Sequence, residues 1–122
     1  MRRGILRRAE LKRTLSSGKR LVGARVVLYV APPSGVSSGV PGKREMPGEV
    51  RAAVVASRRV GTAAQRNRAR RILREAWRGI EPSVRPGTGV VMVARRAILP
   101  ARTQELETEM RQLLATTDLV KA

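Results

Sequence analysis

The segment from Ser57 to Gly79 constrains this chain more than any other, because it defines a helix by its ends, its core face and an array of arginines. Thr62 followed three residues later by Gln65 is the pattern of a capping box, in which each side chain satisfies the other residue's backbone N–H. Gly79 stands where a left-handed C-terminal stop belongs. The spacing therefore predicts a helix from about Ala63 to Arg78. At 3.6 residues per turn, Ala69, Ile72, Leu73, Ala76 and Ile80 share one face, which reads as core. Arg66, Arg70, Arg74 and Arg78 recur every four residues on another, flanked by Asn67 and Arg71.

A solvated face of paired charges fails here on counting. Only Glu75 opposes Arg66, Arg68, Arg70, Arg71, Arg74 and Arg78, so like charges at i,i+4 spacing repel by about a few tenths of a kcal/mol per pair. Such a face needs a polyanionic partner. The planar guanidinium fork donates two parallel hydrogen bonds to phosphate, Arg58 and Arg59 extend the array, and the Asn67 amide suits a base edge or a 2′-hydroxyl. The pattern points to folded RNA. Glu75 is expected to pair with Arg71 or Arg78. Trp77, beside Leu73 and Ala76, reads as core rather than as a stacking platform.

Composition narrows the chemistry further. A chain of 122 residues is read as one domain, 1–122, able to bury a modest core, and its net charge of +17 repels itself in the compact state. Residues 1–30 carry nine Lys or Arg against one acid, and residues 51–78 again nine against one, so two blocks hold nearly all of the excess. There is no Cys and no His, which removes zinc fingers, thiol nucleophiles, serine-histidine triads and histidine-ligated metals. The acids form no paired-carboxylate constellation. No apolar stretch approaches a membrane span, and the arginine-rich start lacks the apolar core of a secretory signal, so a cytoplasmic protein is expected.

Along the chain, residues 1–8 read as a basic arm and about Ala9 to Ser17 as a short helix with Leu11 and Leu15 on one face, closed by Gly18. Val26 to Val30 is a β-branched run of the kind buried on both faces of a sheet. Residues 31–50, with Pro32, Pro33, Pro41 and Pro47, read as a flexible loop. A second strand is expected at Arg51 to Ala56 and a third at Val90 to Ala94. With the arginine helix between them they make a crossover unit of parallel strands. Leu106, Met110, Leu113 and Leu114 give a last amphipathic helix from about Ala101 to Ala115, covering the sheet, with Glu105, Glu107 and Glu109 near its positive end. The fold class is α+β, a single-domain α-β sandwich.

Arg66-Asn67-Arg68, preceded by Ser57-Arg58-Arg59-Val60-Gly61 and followed by Arg70-Arg71 and Arg74-Glu75, resembles the signature of the bacterial ribonuclease P protein subunit. The likeness extends through Leu11-Lys12-Arg13, Gly18-Lys19-Arg20, Val27-Leu28-Tyr29-Val30 and Val91-Met92-Val93-Ala94-Arg95-Arg96, in the order which that family uses. The resemblance implies a fold like the second domain of ribosomal protein S5. It also implies a left-handed crossover, against the right-handed form seen in about 98% of such units. It implies a subunit that assists a catalytic RNA in removing the 5′ leader of precursor tRNA, with the reaction carried by that RNA and its magnesium ions and no cofactor bound by the protein alone. The implied RNA-binding residues are Arg58, Arg59, Arg66, Asn67, Arg68, Arg70, Arg71 and Arg74. A cleft for the single-stranded leader, between the first helix and the sheet, would use Leu11, Lys12, Leu15, Tyr29 and Ser57. The implied partners are the catalytic RNA and precursor tRNA, with no membrane and no protein partner.

Two departures from the family stand out. Aromatic rings usually occupy the places of Leu11 and Leu15, and this chain has no Phe; since stacking contributes about 1–3 kcal/mol per base, leucines there should weaken leader contacts or shift them to backbone and charge. Leu11 and Leu15 admit plain core packing as well as cleft lining, and Tyr29 admits both roles too. The connection over residues 31–50 is also long for the family. A structural ribosomal protein would share the size and charge, but the ordered arginine motif favours the processing subunit. A helical DNA-binding module is disfavoured because a strand-helix-strand unit offers no helix-turn-helix pair.

Overall fold

The β-branched runs build the middle of a five-stranded sheet in a computed structural model, which describes residues 4–5, 11–12, 14–15, 18–31 and 50–120. Its strands are β1 (Gly4–Ile5), β2 (Lys19–Val22), β3 (Val26–Ala31), β4 (Arg51–Val55) and β5 (Gly89–Ala94), in the spatial order β1-β4-β5-β3-β2. Strands β4 and β5 run parallel, joined by helix α1 (Ala63–Ile80), as the crossover pattern requires. Strand β3 pairs antiparallel with both β5 and β2, and β1 adds a parallel edge to β4. A second helix, α2 (Thr103–Ala115), packs against α1.

Alternation sorts the strand residues onto two faces. Leu21, Val26, Leu28, Val30, Val90 and Met92 join the core formed with the buried sides of both helices. On α1 that side is Ala69, Ile72, Leu73, Ala76, Trp77 and Ile80, and on α2 it is Leu106, Met110 and Leu114. Trp77 is therefore core, and α2 covers the sheet. The opposite parity holds Val27, Tyr29, Ala53, Val55, Val91 and Val93, in register across β3, β5 and β4. Val91 is 0% exposed although it points away from both helices. The connection between β1 and β2 joins the two edge strands of the sheet. Helical residues Leu11, Lys12, Thr14 and Leu15 lie in that connection, with Thr14 buried and its carbonyl accepting from the Gly18 N–H at 2.8 Å.

Three expectations need correcting. Gly79 does not end the arginine helix: α1 runs through it to Ile80, the Glu81 N–H still donates to the Trp77 carbonyl, and a 3-10 turn follows over Glu81–Ser83. Pro82 sets the limit instead, because it has no N–H to continue the ladder. Gly79 shows no positive φ, which among the described residues occurs only at Gly61 and Gly87. Strand β2 was not expected, since Lys19 and Arg20 mask a short edge strand whose one buried residue is Leu21. Strand β1 places Gly4 and Ile5 in the sheet, where a basic arm over 1–8 was expected. The remainder of that arm, the other residues of the first helix and residues 32–49 of the expected loop lie outside the described residues.

Candidate RNA interface

The arginine surface is built by a turn and a capped helix start. After β4, Ala56 and Val60 are buried and hold the turn between them, closed by hydrogen bonds from Val60 N to Ser57 O (3.0 Å) and from Gly61 N to Arg58 O (3.1 Å). The Ser57 hydroxyl accepts from the Arg59 N–H at 3.3 Å, and Arg58 and Arg59 stand exposed at the tip. Gly61 has φ +144, and a Cβ there would lie 1.9 Å from Gln65 Oε1. That oxygen is already engaged. It accepts from Thr62 N at 2.8 Å while Thr62 Oγ1 accepts from Gln65 N at 3.2 Å, completing the capping box that the sequence announced.

The arginines of α1 then divide into two sets. Arg66 Nη1 donates to the Gly61 carbonyl (3.2 Å) and Arg68 Nε to the Leu99 carbonyl (3.1 Å). Arg70 bridges Asn67 Oδ1 (3.0 Å) and the Ala56 carbonyl (3.3 Å). These contacts orient guanidinium groups without neutralising them, because every acceptor is uncharged. Arg58, Arg59, Arg71, Arg74 and Arg78 are exposed and make no side-chain hydrogen bond or ion pair among the described residues. The Asn67 carboxamide keeps its NH₂ group available outward once Oδ1 has accepted from Arg70.

Glu75 does not pair with Arg71 or Arg78, as the sequence had suggested. Its carboxylate accepts instead from the Thr103 hydroxyl, at 3.0 Å, at the start of α2. The helical repeat could place Glu75 near its neighbours on α1 but could not show that α2 begins beside it. The acids of α2 are committed elsewhere. Glu109 accepts from both the backbone N–H (2.9 Å) and Nη1 (3.0 Å) of Arg25, Glu105 accepts from Arg25 Nη2 (3.3 Å), and Glu107 pairs with Arg111 (3.4 Å).

Of the residues expected in the cleft, Tyr29 lies on the sheet face opposite α1 and α2. Tyr29 is half-buried at the middle of β3, Leu11 is half-buried, Lys12 is exposed, and Ser57 is exposed where β4 gives way to the turn. Leu15 is 38% exposed, which removes plain core packing for that residue. Arg20 and Val22, which were not expected in the cleft, project onto this same face from β2. Their signal was the alternation Arg20-Leu21-Val22, too short to be recognised on its own. No three Asp or Glu side chains among the described residues come together in a way that would hold a metal ion.

Residues 2–118 match the family model described as Ribonuclease P. The chain belongs to the ribonuclease P protein family. It is 32% identical over 110 residues to the ribonuclease P protein component of Caldanaerobacter subterraneus, covering 90% of this chain and 84% of that protein. With the component of Chloroflexus aggregans it shares 33% identity over 111 residues, covering 90% of this chain and 73% of the relative. Among solved structures, the ribonuclease P protein of Thermotoga maritima superposes with a TM-score of 0.72 at 20% identity, over 97% of this chain and 99% of its own. The Staphylococcus aureus protein gives 0.72 at 16% identity, over 99% and 100%. These two likenesses establish the shared α+β fold. Family membership makes the chain a protein component of the ribonuclease P holoenzyme.

Proposed function

We propose that this ribonuclease P protein is an RNA-binding subunit that docks the catalytic RNA through Arg58, Arg59 and the arginine face of α1, and holds the 5′ leader of precursor tRNA against the sheet face that carries Tyr29. The observation that carries this reading is the set of arginines with no acidic partner on α1, beside a second helix whose acids are all committed elsewhere. In this arrangement Arg66, Arg68 and Arg70 are fixed by carbonyl and amide oxygens and present oriented donors. Arg71 and Arg74 swing freely to meet phosphates, and Asn67 offers its NH₂ to a base edge or a 2′-hydroxyl. Leu11, Lys12, Leu15, Tyr29 and Ser57 receive the single-stranded leader. Here a single ring and aliphatic surface replace a row of rings.

The reaction, hydrolysis of the phosphodiester at the mature 5′ end, would belong to the RNA, and magnesium ions bound there would supply the activation of water and the charge stabilisation that this protein's side chains do not offer. The protein's part is to position substrate and to neutralise charge between two RNAs, as one domain working in the cytoplasm. The test is reconstitution. Purified protein alone leaves precursor tRNA uncut, and added to the matching RNA subunit at moderate magnesium it promotes cleavage at the mature 5′ end. RNA-free protein that cuts specifically at that position, or a matching RNA whose cleavage is indifferent to the protein, overturns the proposal.

A further inference from the structure

The hairpin of β2 and β3 carries two arginines with opposite fates. Arg25, in its turn, is latched by Glu105 and Glu109. Arg20, on β2, is exposed and has no side-chain hydrogen bond or ion pair among the described residues. The ladder fixes where it points. Leu21 is buried against the helices, so Arg20 and Val22 on either side of it project to the opposite face. There the register sets Arg20 directly across from Tyr29, and Val22 across from Val27. Cross-strand partners of this kind have Cβ atoms about 4.5–5.5 Å apart, which is close enough for one ligand to touch both side chains.

Ring and guanidinium side by side are the two contacts that a nucleotide of single-stranded RNA needs: a flat face for the base and a forked donor for the phosphate. We propose that Arg20 grips a phosphate of the leader next to the base that lies on Tyr29, so that this chain, with one ring in place of several, compensates through charge. Val22, 52% exposed on the same face, extends the apolar floor beside the pair. This inference rests on the leader-binding reading above. An arginine on an edge strand also discourages edge-to-edge association between sheets, and that role makes no demand on the leader.

The experiment compares holoenzymes rebuilt with the wild-type protein and with Arg20→Gln. It measures the ratio of affinities for precursor tRNA bearing a leader of several nucleotides and for mature tRNA, across a salt series. Arg20→Gln is expected to lower that ratio about two- to fivefold, the range of one exposed charged contact. The salt slope of the ratio should become shallower by about 0.7, the increment for one phosphate on a single strand, with mature tRNA binding unchanged. Leaders carrying a single neutral methylphosphonate linkage locate the contact: one position weakens the wild type and leaves Arg20→Gln indifferent. A ratio unchanged by Arg20→Gln, an equal loss for mature tRNA, or the absence of any position sensed differently by the two proteins overturns the inference. Aggregation of the variant with an intact ratio assigns Arg20 to edge protection and overturns it as well. If the wild-type holoenzyme itself shows no preference for the leader, the leader-binding reading falls and takes this one with it, whereas a wild-type preference that survives Arg20→Gln removes Arg20 alone.

Discussion

Helices α1 and α2 lie against each other on one face of the same sheet, yet they use charge in opposite ways. The acids of α2 are consumed inside the molecule, two on Arg25 and one on Arg111, whose guanidinium also reaches the Gly79 carbonyl of α1 at 2.6 Å. In α1 the arginines that bond internally reach only uncharged oxygens, and the single acid turns to a threonine hydroxyl. Orientation and neutralisation are thereby separated. A guanidinium pinned by a carbonyl loses rotamer freedom on folding and keeps its full charge, so less ordering would remain to be done on binding a polyanion. The lesson is that the basic surface is maintained by where the acids are not, and α2 is the element that keeps them occupied.

If that division holds, damage to α2 should affect folding and damage to α1 should affect binding. The largest effect is expected from Met110→Ala. This side chain is 0% exposed at the heart of the core, and its truncation should lower unfolding free energy by about 2–5 kcal/mol in denaturant titrations. The fraction that remains folded should bind RNA as before. A loss of RNA affinity without a loss of stability would place α2 in the interface and dissolve the contrast. Next in size is Arg71→Gln combined with Arg74→Gln. Without internal partners to lose, the pair should leave the melting temperature in place. Affinity for the catalytic RNA should fall about 10- to 100-fold near physiological salt, with a salt slope shallower by about 1.4–1.8 for two phosphates. Unchanged affinity and slope would move the docking face elsewhere.

How much of this was readable beforehand followed from whether the signal was local. The start of α1 and its buried side were legible because Thr62, Gln65 and the spacing of Ala69, Ile72, Leu73 and Ala76 act within a few residues of one another. Strands β3, β4 and β5 were legible as apolar runs, and the parallel pairing of β4 with β5 followed from the helix between them. What failed depended on distant neighbours. Glu75 meets Thr103 across 28 positions, and Arg68 meets Leu99 across 31. The helix end was missed because Gly79 was taken as a stop when Pro82, three residues later, removes the next donor. Strands β1 and β2 were hidden because a sheet edge needs few apolar residues. At the site, the arginines were visible in the sequence, but their division into oriented and free sets was not, since it rests on carbonyls from Ala56, Gly61 and Leu99.

A smaller effect sharpens the comparison from the α2 side. Glu109→Gln removes the charge from a carboxylate whose two oxygens serve the guanidinium and the backbone N–H of Arg25, with side chains 12% and 32% exposed. Because Arg25 is about a third exposed and glutamine retains one acceptor, we expect a loss of about 1 kcal/mol in stability, measured by urea denaturation at low salt. The difference from wild type should shrink as salt rises. RNA affinity should hold or tighten slightly, since the cluster of Arg25, Glu105 and Glu109 loses one negative charge while Arg25 keeps its pair with Glu105. An RNA affinity that drops with Glu109→Gln would mean that the latch between the β2–β3 turn and α2 shapes the docking surface itself.

The smallest effect tests the one acid of α1. In Glu75→Gln the amide oxygen can still accept from the Thr103 hydroxyl, so unfolding free energy should stay within about 0.5 kcal/mol of wild type, as for surface changes generally. Removing a negative charge from the face proposed to dock RNA should tighten RNA binding by about 1.5- to 3-fold at low salt, and the gain should fade as ionic strength rises. Both readouts are needed because an ion pair would move them together. Were Glu75 paired with Arg71 or Arg78 in solution, Glu75→Gln would cost stability in a salt-dependent way and release an arginine to the RNA at once, giving a larger gain in affinity. Stability loss of that kind, measured alongside binding, would show that α1 also neutralises itself, and the contrast with α2 would be one of degree.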